Sequence, residues 1–332
     1  MMPRNHCHTS KQSIYARVVA SVHMPWNLRR QSPNNDGVWG QIRLVINPTD
    51  PKDERACAWL YVQNHLPHAP FTTAVPHAHR ILHVTEPTTI VDNHLSYVNQ
   101  FGIVLSPYPR PSAYRGTWLA SQPATAWYYG IDRTKSPGTK SAYLTWQALT
   151  SPKKKTKKVS LICSRLDITP FQQQRLRFVA ALKKELGTQI DFYGRDETFI
   201  ADKADAIDPY RYHIALENNQ DKHFWTEKLA DSYFGEAYPI HAGCANLHDY
   251  FPQRAYTSID IFNIPSAIGR VKEVLASDPY ETSRPYILEA KRRVMEDYNI
   301  LAVLERVVLA RADTNQHVLD VTETIQPDKK LT

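Results

Sequence analysis

Residues 212–251 read YHIALENNQDKHFWTEKLADSYFGEAYPIHAGCANLHDYF, and this stretch decides the fold. Apolar residues alternate with other residues over positions 212–216, which is the period-two pattern of a strand. Thr226, whose hydroxyl suits a helix N-cap, precedes a segment with apolar residues at helical spacing. A second apolar strand pattern covers positions 238–242. The order strand, loop, helix and strand predicts a βαβ unit, and therefore an α/β fold.

Polar and charged residues mark the end of the first strand and the start of the helix. Glu217 and Asn218 close the strand, and Glu227 and Lys228 open the helix. Ligands of open α/β sheets bind beyond the carboxyl ends of the strands, and a helix N-terminus attracts anions. Lys228 adds a full positive charge there, so the sequence predicts a site for a phosphate-bearing ligand. The alternative for Glu227 and Lys228 alone is a solvated ion pair on a surface helix.

Length and composition favour a globular protein of two domains. The chain has 332 residues, of which 42% are hydrophobic, enough to build ordinary cores. We expect no transmembrane helix, because no stretch of about 18 uncharged apolar residues occurs. We also expect no signal peptide, since the first residues lack an apolar segment. Wide and unpatterned cysteine spacing favours free thiols in a reducing cytoplasm over disulfides; the cysteines are Cys7, Cys57, Cys163 and Cys244.

A lysine-rich run separates the two halves of the chain. Residues 151–158 read SPKKKTKK, a polar segment with a helix breaker that leads into an apolar strand pattern. The run has three interpretations: a solvated linker, a contact with an anionic membrane surface, and a nucleic-acid contact. No basic groove with interleaved aromatic residues supports the last, so we expect no nucleic-acid partner. The residues after Asp313 are polar, and we expect them to be frayed.

The stretch 212–251 resembles the donor-site signature of the fucosyltransferases of glycosyltransferase family 10. That signature is an aromatic-rich strand ending in Glu-Asn, then a loop, then Thr-Glu-Lys; here Glu217-Asn218 and Thr226-Glu227-Lys228 match it. The resemblance covers roughly residues 15–310. Further matching segments, in the expected order, are residues 31–40, 81–90, 121–130, 158–182 and 190–195.

The resemblance implies a fold of the GT-B type, in which two Rossmann-like domains face each other across a cleft. Residues 13–150 would then form an acceptor-binding domain, and residues 158–312 a domain that binds a nucleotide sugar. Residues 313–332 would be a polar tail. As in that architecture generally, the final helices are expected to cross back to the first half.

Five residues of the second half are predicted to bind the donor. A departing diphosphate needs fixed positive charge, and the resemblance gives this task to Arg175 and Lys228, both expected near helix starts. It also places Glu227 on the ribose hydroxyls and Asn218 near the transferred sugar. Phe224 occupies a position where relatives often have a tyrosine that contacts the nucleotide, so that contact loses its hydroxyl here. The alternatives are a solvated arginine, a glutamate that favours the helix dipole and a loop-forming amide.

Glu86 is the predicted catalytic base. It follows an apolar strand pattern at residues 81–84 and precedes a proline, so it lies at the carboxyl end of a strand of the first half. The family acid at the matching place faces the acceptor, and a carboxylate there takes the proton of the attacking hydroxyl. The alternative role is an ion pair with His83 or Arg80. Weaker candidates for the base are Asp36 and Asp92.

The acceptor cleft is predicted from residues with polar amides or flat indole rings. Tryptophan faces suit the C–H surfaces of sugars, although the buried core is their more common place. The candidates are Asn34, Asn35, Trp39 and Trp127.

No metal site and no cofactor are predicted. Arg175 and Lys228 together replace the charge of a metal ion, and no Asp-X-Asp sequence occurs in the expected donor region. Prolines interrupt the histidine-rich segment, and no cysteine pair accompanies it, which argues against zinc. Its members are His65, His68, His77, His79 and His83.

The function implied by the resemblance is an inverting transfer of L-fucose from GDP-fucose to a glycan hydroxyl, in an α-1,3 linkage. The expected acceptor is a surface polysaccharide or lipopolysaccharide precursor, and the expected place is the cytoplasm. There the lysines of residues 153–158 would contact the inner face of an anionic membrane. Two alternatives remain open: a glycosyltransferase that uses another nucleotide sugar, and a glycan-binding protein without catalysis.

Overall fold

The computed structural model describes residues 13–19, 25–47, 53, 56–64, 67–88, 93–124, 126–194, 197–311 and 322–328. Four residues named above, Cys7, His65, Asp92 and Asp313, lie outside these ranges.

The first half is built on a seven-stranded sheet in the order β2-β3-β1-β4-β6-β7-β8. All neighbours in it are parallel except the antiparallel pair β2 and β3. The central strand β4 is buried at every position, as expected when helices cover both faces of a parallel sheet. The strands of this half are β1 (Ile14–Val19), β2 (Val38–Trp39), β3 (Ile42–Ile46), β4 (Trp59–Gln63), β5 (Phe71–Thr73), β6 (Arg80–His83), β7 (Ile103–Ser106) and β8 (Thr117–Ala120). Its short helices are α1 (Pro25–Arg29), α2 (Leu95–Val98) and α3 (Trp146–Thr150).

The second half contains a five-stranded, wholly parallel sheet in the order β10-β9-β11-β12-β13. Its strands are β9 (Lys157–Ile162), β10 (Asp191–Tyr193), β11 (Tyr210–Leu216), β12 (Tyr238–Ala242) and β13 (Thr257–Ser258). Its helices are α4 (Pro170–Leu186), α5 (Glu227–Phe234), α6 (Ile264–Ser277), α7 (Tyr280–Glu296) and α8 (Ile300–Leu309). The predicted βαβ unit is therefore β11, α5 and β12.

Both parallel sheets reverse their strand order at one place. In the first half the chain turns back between β1 and β4, and in the second half between β9 and β11. The crevice outside the carboxyl ends of the strands at such a switch point is where doubly wound folds bind ligands.

Two helices begin beside the switch point of the second half, and both have capped N-termini. Thr169 and Gln172 form a reciprocal capping box at the start of α4, where Pro170 takes the first turn. Thr226 accepts a hydrogen bond from the backbone of Lys228 at the start of α5. These caps fix the positions of the helix N-termini.

The two halves exchange segments. Helix α8 packs onto the first sheet, where Leu301 and Leu304 join the same core as Ala16 and Ile42. In the other direction, chain from residues 124–149 joins the core of the second half. The prediction that the final helices cross back is confirmed for α8, whereas α7 packs in the core of the second half. The lysine-rich run divides the sequence into two halves, but each hydrophobic core contains residues from both sides of that run.

The C-terminal residues do not behave as the predicted frayed tail. Strand β14 (Glu323–Ile325) pairs antiparallel with β5, and the Ile325 side chain is buried in the first half. Arg80 forms a 2.8 Å ion pair with Glu323. The expectation is therefore wrong for residues 322–328, because one apolar side chain and one backbone ladder are enough to hold them.

The lysine-rich run does not present a continuous basic face. Lys153 and Lys155 turn inward; the ammonium group of Lys153 lies 3.8 Å from Asp208, and that of Lys155 donates to the Asp208 carbonyl at 3.0 Å. Burial lowers the pKa of Lys155 to about 7. Lys157 pairs with Asp191 at 2.9 Å. The alternation follows from the extended backbone that enters β9, which sends successive side chains to opposite sides.

Candidate active site

A cavity of about 590 Å³ lies at the carboxyl edge of the second sheet, at the switch point between β9 and β11. Its wall combines the segment after β9, the end of β11, the starts of α4 and α5, and Tyr128 from the segment that joins the halves. Four of the five predicted donor residues line it: Arg175, Asn218, Glu227 and Lys228. The rule for doubly wound sheets thus locates the cavity, and the local motif supplies its charge.

Arg175 lies beneath the two loops that follow β9 and β11. Its side chain is only 2% exposed, since it is on the inward face of α4. The guanidinium group donates to the hydroxyl of Ser164 at 3.1 Å and to the carbonyl of Glu217 at 3.4 Å. Its Nε has no partner among the described residues. A buried cation held by neutral oxygens, with one donor unused, is suited to bind an anion.

Glu217 holds the start of α5. It is fully buried, and its carboxylate accepts hydrogen bonds from the backbone of Thr226 at 2.8 Å and from the Thr226 hydroxyl at 2.6 Å. Burial raises the pKa of Glu217 to about 7, although Lys228 lies 3.9 Å away and opposes this. This support role was not assigned from the sequence. The signal for it was an acid directly after a buried strand and before a helix-capping threonine.

Glu227 and Lys228 form an ion pair at 2.9 Å on the cavity wall. Burial alone lowers the pKa of Lys228, but the carboxylates of Glu227 and Glu217 raise it above its ordinary range. Burial likewise tends to raise the pKa of Glu227, but Lys228 and Lys203 bring it down to about 2. Both groups are charged at neutral pH. Their side chains are 18% and 27% exposed, so the pair is not the solvated surface pair of the alternative interpretation.

Lys203 is a further cation of this wall that sequence reasoning missed. It pairs with the buried Asp231 at 2.6 Å and lies over the ring of Tyr128 at 5.3 Å. Asp231 in turn accepts a hydrogen bond from the backbone of Tyr129 at 2.9 Å. Nothing in the sequence near Lys203 distinguishes it from a surface lysine, and only the folded arrangement brings it to the cavity.

Asn218 and Phe224 have different surroundings. Asn218 lines the cavity, and its buried side-chain oxygen has no partner within the described part of the chain. Phe224 is fully buried and does not belong to the cavity wall; its ring packs 6.4 Å from that of Tyr108 in the first half. The predicted nucleotide contact of Phe224 is therefore corrected to a packing contact between the halves, because the loop turns this side chain inward.

Glu86 is held at the facing edge of the first half. Its backbone N–H donates to the side-chain oxygen of the fully buried Asn64 at 3.2 Å, as does that of Thr85 at 3.0 Å. Burial raises the pKa of the half-buried Glu86; Glu227 raises it further and Lys228 opposes it. Glu86 is not one of the residues that line the cavity, but its carboxyl is close enough to the donor wall to be influenced by those two charges.

The alternative role of Glu86, an ion pair with His83 or Arg80, is wrong. Both ring nitrogens of His83 are engaged, one with the hydroxyl of Tyr61 at 2.9 Å and the other with the Gln122 carbonyl at 3.0 Å. Burial lowers the pKa of His83 to about 4, so it is neutral at pH 7. Arg80 pairs with Glu323 instead.

The predicted acceptor residues do not line the cavity. Trp127 is fully buried, with its ring 4.7 Å from Phe234. The Asn35 side chain accepts a hydrogen bond at 2.7 Å from the backbone of Trp146, whose ring lies 5.9 Å from Trp39. Full burial contradicts the predicted sugar contact of Trp127, whereas Asn35 and Trp39 are half-buried beside α3 and their acceptor role stays a prediction.

Tyr128 is the aromatic residue of this region that reaches the cavity. It is 38% exposed and belongs to the cavity wall. Burial raises its pKa to about 12, and Glu227 and Glu86 add to the shift, so its hydroxyl lies near the charges of both halves. Sequence reasoning selected the neighbouring Trp127 instead, because the faces of tryptophan rings suit the C–H surfaces of sugars.

Asp36 accepts hydrogen bonds from Ser32 at 3.0 Å and from the backbone of Val38 at 3.0 Å, which is a turn-forming role rather than that of a base. Within the described ranges, no group of three or more histidine, cysteine, aspartate or glutamate side chains has an arrangement suited to a metal ion. None of the described helices combines the length and hydropathy needed to cross a bilayer.

A comparison with known protein families matches the second half of the chain. Residues 152–287 match the family model described as glycosyltransferase family 10 (fucosyltransferase), C-terminal. The resemblance expected from the sequence is thus confirmed for this part of the chain, and it agrees with an enzyme of the fucosyltransferase class.

Three solved structures show the fold. An α1,3-fucosyltransferase with GDP-fucose has a TM-score of 0.53 at 14% identity, over 96% of each chain. An α1,3-fucosyltransferase with GDP has a TM-score of 0.53 at 15% identity, over 95% of each chain. A UDP-forming α,α-trehalose-phosphate synthase from Burkholderia xenovorans has a TM-score of 0.50 at 8% identity, over 90% of this chain and 98% of that one. The predicted α/β fold of the GT-B type is confirmed.

Proposed function

We propose that this protein, whose residues 152–287 form a glycosyltransferase family 10 domain, transfers L-fucose from GDP-fucose to a glycan hydroxyl with inversion. The observation that carries the proposal is the pair of fixed cations, Arg175 and Lys228, in a cavity at the switch point of the second sheet. The likeness to an α1,3-fucosyltransferase with GDP-fucose supports the choice of donor.

The donor wall suits a departing diphosphate. As the bond between the anomeric carbon and the β-phosphate oxygen breaks, negative charge accumulates on GDP and needs preorganised positive charge. Arg175 supplies a buried guanidinium group, and Lys228 supplies an ammonium group that stays protonated at neutral pH. Glu227 is ionised, so it accepts hydrogen bonds from ribose hydroxyls. No step needs a metal ion, and we expect transfer to continue in EDTA.

The facing wall suits the removal of a proton. A base on the face of the sugar opposite to the leaving group lets the acceptor oxygen attack and gives inversion. Glu86 belongs to the other half of the molecule, and its carboxyl feels the charges of Glu227 and Lys228 across the cleft. Its raised pKa makes it a stronger proton acceptor than an ordinary glutamate. The proton of the acceptor hydroxyl moves to Glu86, and GDP leaves on the second half.

For the acceptor we propose a surface glycan or its lipid-linked precursor, fucosylated in α-1,3 linkage at the cytoplasmic face of a membrane. The exposed lysines Lys154, Lys157 and Lys158 would make the membrane contact in this proposal, since Lys153 and Lys155 turn inward. Sedimentation with vesicles of anionic and neutral lipid would test this contact. We expect weak, salt-sensitive binding to the anionic vesicles, and equal binding to both would contradict it.

A thermal-shift screen with GDP, UDP, ADP and CMP tests the donor class. We expect GDP to raise the melting temperature most, since binding to the folded state alone stabilises it. Lys228→Ala should lose much of this shift, whereas Lys272→Ala, which removes an exposed ion pair with Glu185, should keep it. A larger shift with UDP than with GDP would contradict GDP-fucose as the donor and favour a UDP-sugar. No shift with any nucleotide would favour a glycan-binding protein.

A further inference from the structure

The two walls of the cleft are joined at a tyrosine that has no assigned role. Tyr108 lies just after β7 in the first half, and its hydroxyl accepts a hydrogen bond from the Asn219 side chain of the second half at 3.0 Å. The backbone N–H of Thr88 is close enough to the same hydroxyl to lower its pKa, which opposes the effect of burial. Thr88 is two residues from Glu86, and Asn219 follows the donor residue Asn218 directly.

Both partners of this contact are held in place. The backbone N–H of Tyr108 donates to Ser106 at 3.0 Å, and its carbonyl accepts from the Trp118 indole at 2.8 Å. On the other side, the Asn219 amide also donates to the Asp221 carboxylate at 2.7 Å, which fixes its orientation. Burial raises the pKa of Tyr108 to about 12, so the hydroxyl keeps its proton at neutral pH.

We propose that Tyr108 is a positioning residue whose hydroxyl joins the base loop, residues 85–88, to the donor loop, residues 217–219. This proposal rests on the proposed function. The junction would keep the base on one half at a fixed distance from the donor on the other half. Such a contact matters because two domains separated by a cleft tend to move relative to each other. The ring of Phe224 packs against that of Tyr108, which gives this phenylalanine a place in the same junction.

The transfer reaction should report the loss of this junction. A misplacement of about 1 Å can reduce turnover by about a hundredfold, and we expect Tyr108→Phe and Asn219→Ala each to reduce kcat by about tenfold. The double variant should be little worse than either single one, since both remove the same bond. GDP affinity should stay within about twofold of the wild type, because the cations of the donor wall are unchanged.

Tyr114→Phe is the matched control. Tyr114 belongs to the same half, is buried, and donates its hydroxyl to the Phe101 carbonyl at 2.9 Å, away from the cleft. Its variant should keep the wild-type kcat even if its melting temperature falls. If Tyr114→Phe reduced kcat as much as Tyr108→Phe, or if the effects of the two junction variants simply multiplied, Tyr108 would be a structural residue only.

Hydrogen exchange tests the junction without any substrate. We expect the amide of Thr88 to exchange faster in Asn219→Ala than in the wild type, since the change loosens Tyr108 from the opposite half. Unchanged exchange at Thr88 would overturn the proposal. This readout does not depend on transfer, so a wild-type protein without fucosyltransferase activity would contradict the proposed function and leave the exchange result to decide the junction.

Discussion

The two sheets have the same pattern of strand reversal, yet their carboxyl edges differ in chemistry. The second half collects fixed charges there, with Arg175, Glu227 and Lys228 around one cavity. In the described part of the first half, this edge carries Glu86, whose pKa is raised, and the neutral His83. A repeated backbone therefore leaves the function to the few residues that follow its strands. One edge is suited to hold an anion, and the other to accept a proton.

The largest effect should come from the first edge. Glu86→Gln keeps the shape and the backbone contacts to Asn64 but removes the proton acceptor, so kcat should fall by about two to four orders of magnitude. GDP affinity should stay near the wild-type value, because the change lies on the opposite wall. Transfer assays and calorimetry with GDP would measure the two quantities. A normal kcat in this variant would show that Glu86 is not the base. The first edge would then lack the proton-accepting role that distinguishes it from the second.

Substitutions at the second edge should mainly weaken GDP binding. Lys228→Ala and Arg175→Ala should each weaken GDP binding by about ten- to hundredfold, the usual cost of losing a hydrogen bond to a charged group. Arg175→Ala also removes buried packing, so its melting temperature must be measured alongside. Lys272→Ala serves as the exposed control. Unchanged GDP affinity in Lys228→Ala would place the diphosphate elsewhere.

The smallest effect is a pH dependence confined to the second edge. The pKa of Glu217 is raised from 4.5 to about 7, so the folded protein keeps this proton as pH rises, and stability falls between these values. Above pH 7 the ionised carboxylate, 3.9 Å from Lys228, offsets part of its charge.

GDP affinity should therefore decrease by about two- to fivefold between pH 6 and pH 8. In Glu217→Gln, GDP affinity should depend less on pH over this range. The titration of GDP itself affects both proteins equally, so the difference between them isolates the contribution of Glu217. An equal pH slope in both would show that Glu217 does not titrate there.

The second half was the more predictable from sequence. Its strand, capped helix and charged residues are close in the chain, so local pattern was enough to place Asn218, Glu227 and Lys228 on one wall. The family resemblance assigned Arg175, and its expected place in the first turns of a helix after an apolar strand agreed with that role. Glu86 follows an apolar strand of the first half, and its predicted role as base also depends on the resemblance.

The residues that sequence reasoning misplaced depend on packing between distant segments. Nothing local tells that Trp127 is buried and Tyr128 exposed, since this is decided by α5, about a hundred residues later. Lys153 and Lys155 looked like a surface charge cluster because their buried oxygen partners, near Asp208, are far away in the sequence. Phe224 turns inward to meet Tyr108 from the opposite half, a contact that no single segment contains.

The return of the chain to the first sheet has a consequence for its biosynthesis. Helix α8 covers Ala16 and Ile42, and β14 pairs with β5 in a separate two-stranded sheet, so the earliest strands to leave the ribosome wait for the last segments. The second sheet, in contrast, uses strands from residues 157–258 and can form while the first is still incomplete. Non-local closure of this kind is slow and exposes apolar surface. We therefore expect a gene fragment that ends at residue 150 to yield an insoluble product rather than an isolated acceptor domain.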